Sequence, residues 1–316
     1  MRLWRRPAEP GFPLTAGELE GYRLAAQRRL PAGQVGAHLR RRQGQSLEFR
    51  EYRAYVPGDD VRHVDWLASA RCGRPQDYVV KTFAAEERLT LAVSVDARAT
   101  MAWPAALPKR RVAAWLARAL ATVAGLSGDR ALLHRLFGGP AAVVESAGAV
   151  PSGAARRWLD GLPAATDPPR PNLDALMARL KPTAVWVVIT DLYFDDPGGA
   201  FARALARLQE GHRWIVLVEL DSWPMERALL DRGPALVAGP DRAGRRSRVA
   251  LDAAQAERVE ADIRRHTEGL WQPARRGGLT HVRWSWPADP AADAGDFFRR
   301  AFTGDRDLQR LFRRTA

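Results

Sequence analysis

From residue 89 onward the chain alternates short apolar runs with longer amphipathic ones. Residues 89–95 read Leu-Thr-Leu-Ala-Val-Ser-Val and stop at Asp96; residues 184–189 form the strongest apolar run and stop at Asp191. Short uninterrupted apolar runs fit strands buried on both faces. Further strands are expected at 131–137, 141–145, 213–220 and 281–286. Helices are expected between them. Over 110–125 the residues Val112, Leu116, Leu120 and Val123 share one face. Residues 173–180, 199–210, 253–270 and a terminal 297–311 carry similar patterns. This alternation predicts an α/β fold, a mostly parallel sheet with helices on both faces.

The first 88 residues differ. Residues 1–17 are rich in Pro and Gly. Leu19, Tyr22 and Ala26 predict a helix over 18–30, stopped by Pro31. Residues 32–47 are Gly- and Arg-rich, 48–55 alternate like a strand, and Pro57-Gly58 fits a type II turn. Two regions are expected: an N-terminal one over 1–88, and a sheet domain over 89–316 against which it packs.

In open parallel sheets, function gathers outside the carboxyl ends of the strands. Asp96 and Asp191 both fall there. Each reads two ways, as part of a cation or phosphoryl site or as the cap of the next element.

Charge narrows the partners. The 316 residues carry a formal net charge of +13, and only three of the 49 basic residues are lysine: Lys81, Lys109 and Lys181. Residues 1–50 hold ten Arg against four acids, and residues 241–316 sixteen against eleven, so most of the surplus lies at the ends. Such ends fit nucleic acid, anionic lipid or an acidic protein surface, or equally solvated helix faces. No recognition motif accompanies them.

Familiar chemistry is missing from the motifs. There is no phosphate-binding loop, dinucleotide fingerprint, nucleophile elbow or metalloprotease helix. The six histidines are scattered. Cys72, the only cysteine, excludes an internal disulfide and fits a reducing compartment. It stands between Arg71 and Arg74 without a histidine nearby to serve as its base. No apolar run is long enough to span a bilayer, and the first residues lack the apolar core of a signal peptide. A cytoplasmic location without a membrane span is the expectation.

The densest polar segment is 55–71. It puts Asp59, Asp60 and Asp65 beside Arg53, Arg62 and Arg71. A turn stapled by Arg–carboxylate pairs is the economical reading. A metal-dependent hydrolase is the sharper one, and the interspersed arginines count against it.

Here the chain resembles a known family. Glu48-Phe49, Arg53, Tyr55, Pro57-Gly58-Asp59-Asp60, Arg62, Asp65-Trp66 and Ala70-Arg71 look like the signature of the domain-of-unknown-function 58 family. Lys81, Phe83, Glu86-Glu87-Arg88, Gly128-Asp129-Arg130 and Thr190-Asp191-Leu192 continue the likeness. The resemblance implies a von Willebrand factor A-like domain. It also implies a non-enzymatic partner or adaptor of a MoxR-type AAA+ ATPase, active in assembling or maturing other complexes.

Domains of that type typically hold Mg²⁺ at a metal-ion-dependent adhesion site through Asp-x-Ser-x-Ser, a later Thr and a later Asp. This chain reads Asp96-Ala97-Arg98-Ala99-Thr100, then Pro171-Asn172-Leu173, then Asp191. Asp96, Thr100 and Asp191 remain as possible ligands, while Arg98 and Pro171 stand where hydroxyls belong. A guanidinium has no lone pair to give a metal. The expectation is a degenerate site without a cofactor, with Arg98 between the two aspartates in place of the ion; the alternative has Arg98 pointing to solvent. The expected partner face is Asp96, Arg98, Thr100, Asn172 and Asp191, with Arg98 free to pair an acid on the partner. Two other functions stay open: a nucleic-acid-binding protein using the basic ends, and a metal-dependent phosphohydrolase using Asp60, Asp65, Asp96 and Asp191.

Overall fold

The computed structural model describes residues 11–24, 49–57, 59, 61–71, 78–83, 89–137, 143–148, 153–162, 171–180, 184–196, 198–210, 214–232, 235–238, 246–249, 251–275 and 277–314. They fall into two compact units, one from 1–30 with 89–316 and one from 31–88.

The chain opens with helix α1 (Ala16–Glu20) and strand β1 (Tyr22–Leu24). Thr15 and Glu18 form a reciprocal capping box that starts the helix. The expected helix over 18–30 is therefore corrected over its described part: helix ends at Glu20 and Tyr22–Leu24 are extended, while 25–30 lie outside the described residues.

The smaller unit holds β2 (Phe49–Ala54), α2 (Trp66–Arg71) and β3 (Val79–Phe83). β2 and β3 pair antiparallel, and Val64 bridges to Val80 beside them.

The larger unit contains β4 (Thr90–Val95), α3 (Lys109–Leu126), β5 (Arg130–Arg135), β6 (Val143–Ala147), α4 (Gly153–Asp160), α5 (Asp174–Met177), β7 (Ala184–Thr190), α6 (Ala200–Glu210) and β8 (Trp214–Asp221). It continues with α7 (Trp223–Leu230), β9 (Ala235–Ala238), β10 (Arg246–Val249), α8 (Ala253–Arg275), β11 (Thr280–Ser285), α9 (Ala294–Gly304), α10 (Arg306–Gln309) and β12 (Phe312–Arg314). Six strands form one sheet in the order β11-β8-β7-β4-β5-β6. Every neighbouring pair is parallel except β5 with β6. The protein is thus an α/β protein with a mostly parallel sheet.

Both central strands are buried throughout, which is why their sequences are continuously apolar. Alternate residues feed two cores. Leu91, Val93, Val95, Val185, Val187 and Ile189 face the core containing Val112, Leu116 and Leu120 of α3. Ala92, Trp186 and Val188 face the core containing Leu205 of α6 and Leu270 of α8. Gly128 (φ 75°) turns the chain after α3, and Asp129 Oδ1 accepts the Leu89 N–H at 2.9 Å. The Gly-Asp-Arg motif is a structural corner that sets β5 beside β4.

Two expected boundaries move. The terminal helix over 297–311 is two helices, because Asp305 caps α10 by accepting from Asp307 N and Leu308 N. Residues 11–24 belong with the sheet unit rather than with 49–83. β1 pairs with β12, the Leu24 N–H reaches Ser127 Oγ at 3.0 Å, and the Tyr22 ring meets Phe302 and Phe312 edge-on. Among the described residues no helix is long and apolar enough to cross a membrane.

Candidate functional site

The sheet has one place where its winding reverses. From β4 the chain crosses to β5 on one side, while β7 lies on the other side and leads to β8. Diverging loops leave a crevice at such a switch point. Asp96 and Asp191 follow the two strands that flank it, β4 and β7.

The crevice is filled by the protein's own cations. Arg98 folds back so that Nη2 donates to Asp96 Oδ2 at 2.6 Å and to Asp191 Oδ1 at 3.1 Å. Its Nε reaches Asp96 Oδ1 at 3.1 Å, and its Nη1 donates to the Tyr193 carbonyl at 2.7 Å. The guanidinium lies 4.4 Å from the Phe137 ring centre and 5.1 Å from that of Phe194. Lys109, the first residue of α3, donates from Nζ to Asp191 Oδ2 at 2.8 Å and sits 4.6 Å from the Tyr193 ring centre. Thr190 Oγ1 donates to Asp96 Oδ2 at 2.8 Å while accepting the Leu192 N–H at 3.0 Å. Two carboxylates and two cations make the cluster formally neutral.

The cluster is sealed. Asp96 and Asp191 are buried, Lys109 is 1% exposed and Arg98 is 6% exposed. Burial disfavours ionising either acid. At Asp191 the cations Lys109 and Arg98 outweigh it and hold the carboxyl below the usual range. At Asp96, which has Arg98 alone, burial prevails and pushes the carboxyl up. Leu192, next to Asp191, is buried at a positive φ of 59°. A leucine there is strained by about 1–2 kcal/mol. The turn it makes brings the Tyr193 N–H to Asp191 Oδ1 at 3.0 Å and its carbonyl to Arg98.

A divalent ion does not fit these residues as they stand. It would need carboxylate oxygens already committed to Arg98 and Lys109, and it would meet two positive charges in the same space. Arg98 lies between the two aspartates, as the sequence reading with an internal cation expects, and does not point to solvent. Thr100 Oγ1 is buried without a hydrogen-bond partner among the described residues. Asn172 is half-buried, with its N–H donating to the Leu136 carbonyl at 2.7 Å. Lys109 and Thr190 were not expected here. A signal existed for the lysine: a rare residue type, placed at a helix N-terminus where the macrodipole disfavours a cation.

The 55–71 segment forms its own cluster in the smaller unit. Arg53 and Asp59 pair through two hydrogen bonds of 2.7 and 2.6 Å, and Asp59 also accepts the Val56 N–H, closing the turn. Asp65 accepts from Leu67 N and Ala68 N at the start of α2, from Tyr52 Oη at 2.9 Å, and from Lys81 Nζ at 2.8 Å. Hydrogen bonds from Lys81, Ala68 and Tyr52 hold its carboxyl well below the usual range. These aspartates are staples. Gly58 and Asp60 lie outside the described residues. Arg62, Trp66 and Arg71 are exposed. Of the hydrolase set, Asp65 belongs to the smaller unit and Asp96 and Asp191 to the larger, while Asp60 lies outside the described residues.

A separate cavity of about 650 Å³ opens at the ends of β8 and β11, lined by α7 and α8 residues. Within it Arg283 pairs with Asp221 at 2.9 Å, and Arg264 with Glu260 at 2.6 Å.

An uncharacterized protein of Mycobacterium tuberculosis, Rv1480, is 32% identical over 120 residues, covering 38% of this chain and 37% of that protein. The corresponding Mycobacterium bovis protein, Mb1516, matches to the same extent. The chain therefore spans well under half the length of these relatives in alignment. A solved structure, the conserved hypothetical protein BatB from Bacteroides thetaiotaomicron, matches with a TM-score of 0.40 and 15% identity, over 68% of this chain and 100% of that one. The family model described as protein of unknown function DUF58 matches residues 51–269, and the chain belongs to that family.

Proposed function

We propose that this protein is a non-enzymatic interaction module, an adaptor for a MoxR-type AAA+ ATPase, built on a von Willebrand factor A-like sheet. One observation carries the reading. Seven large hydrophobic side chains are exposed among the described residues, and six of them, Tyr52, Val56, Val61, Trp66, Leu67 and Tyr78, belong to the smaller unit. Surface aromatic and aliphatic side chains gathered in one small unit are a mark of protein binding. Trp66 is 63% exposed and Leu67 is 65% exposed, while Ser69 is the residue of α2 that is buried. Exposed Arg62 and Arg71 flank them, which suits a partner surface with acids around an apolar centre.

The family resemblance supplies the ATPase as the partner class. Arg98 enters this reading differently from the sequence expectation. Its charge is spent inside the molecule, so it organises a surface rather than pairing a partner's acid. The test is binding of the full-length protein to the purified MoxR-type ATPase of the same genome. Capture that weakens about tenfold or more when Trp66 and Leu67 are both changed to Ala supports the proposal. Capture that is absent, or indifferent to that change, overturns it.

A further inference from the structure

Two buried carboxylates at adjacent strand ends must be neutralised by a proton, a metal ion or a protein cation. Here the cations come from the two ends of one loop. Arg98 stands three residues after the end of β4, and Lys109 opens α3. The intervening segment is thereby pinned at both ends: at its start through Asp96 and Asp191, and at its end through Asp191 alone. The same segment carries Trp103, the one exposed large hydrophobic side chain among the described residues of the sheet unit.

We infer that Arg98 and Lys109 are a built-in substitute for a divalent ion, which holds the 97–108 loop in a single geometry and presents Trp103 without any external cation. Three features of the geometry carry this. Both cations are buried, so they are components of the site and not surface charges that swing in. Arg98 bridges the two acids, as a shared ion would. Lys109 stands at a helix N-terminus, against the macrodipole, and the Asp191 carboxylate is what makes that position tenable. The inference is independent of the ATPase reading, because it concerns what the site holds and not what the protein binds.

The test uses the full chain in two measurements. Titration of the wild-type protein with MgCl2 in a calorimeter should give no binding heat, and its melting temperature should be the same in MgCl2 and in EDTA. Binding heat that disappears in Asp96→Asn overturns the inference. Lys109→Met keeps the stem and removes the charge. Hydrogen exchange across 97–108 should then accelerate by about a hundredfold, since a buried partner has lost its counter-charge. Unchanged exchange overturns the inference. If Lys109→Met does not fold, the wild-type titration decides.

Discussion

At the scale of single residues, the site depends on groups whose sequence positions say little. Thr190 is one. Its hydroxyl donates to Asp96 and accepts from Leu192, both in a buried setting. Thr190→Val keeps the shape and leaves a carboxylate oxygen and a backbone N–H each short of a partner. We expect a loss of about 2 kcal/mol in urea unfolding. Thr122→Val, on an exposed helix face where the hydroxyl only bonds back to Arg118, should cost under about 0.5 kcal/mol. His134 makes a pH-dependent case. It is buried in β5 with Nδ1 2.8 Å from Ser94 Oγ, and burial lowers its pKa to about 4. The unfolded chain takes up this proton near pH 6.5 and the folded chain does not, so stability is whole above that value and falls as the pH drops toward 4. The loss should reach about 2 kcal/mol by pH 5. Unfolding free energies at pH 7 and 5 should show it in the wild type, with a smaller difference in His134→Gln. The two described lysines show what could have been read. In a chain that uses arginine for almost every cation, Lys81 pairs with Asp65 and Lys109 with Asp191.

At the scale of elements, periodicity located the central strands and α3 well because each is long and buried on a predictable face. It failed where a short segment is shaped by a distant partner. Leu19 and Tyr22 sit at a spacing that fits a helix, yet Tyr22–Leu24 pair with Phe312–Arg314, almost the whole chain away. The Tyr22, Phe302 and Phe312 rings hold that pairing. Phe312→Ala should therefore cost about 3 kcal/mol in chemical unfolding, as for other buried aromatic truncations. A loss below about 1 kcal/mol would mean that the β1–β12 pair contributes little. The terminal helix divides for a similar reason: Asp305 offers its side chain to two backbone N–H groups, a local option that a hydrophobic pattern does not register.

At the scale of the whole molecule, the division of labour is between a sheet unit with a sealed polar centre and a smaller unit with an apolar exterior. Exposed apolar side chains contribute little to folding, so the surface cluster should be removable without harm. Trp66→Ala together with Leu67→Ala should change the melting temperature by no more than the equivalent of about 0.5 kcal/mol. A larger loss would show that these side chains serve the fold and would take away the support they give to an interaction role.

The sequence by itself determined the α/β class, the central strands, the two strand-end aspartates and the place of Arg98 two residues after Asp96. Those features are local, because burial on both faces writes a continuous apolar run and a motif occupies neighbouring positions. Only the tertiary structure decided that Arg98 turns inward, that Lys109 completes the charge balance and that Thr190 supports Asp96. Neutralising buried charge is a matter of distance in space. Asp191 meets Lys109 because β7 lies beside β4 in the sheet, although 82 positions separate them in the chain.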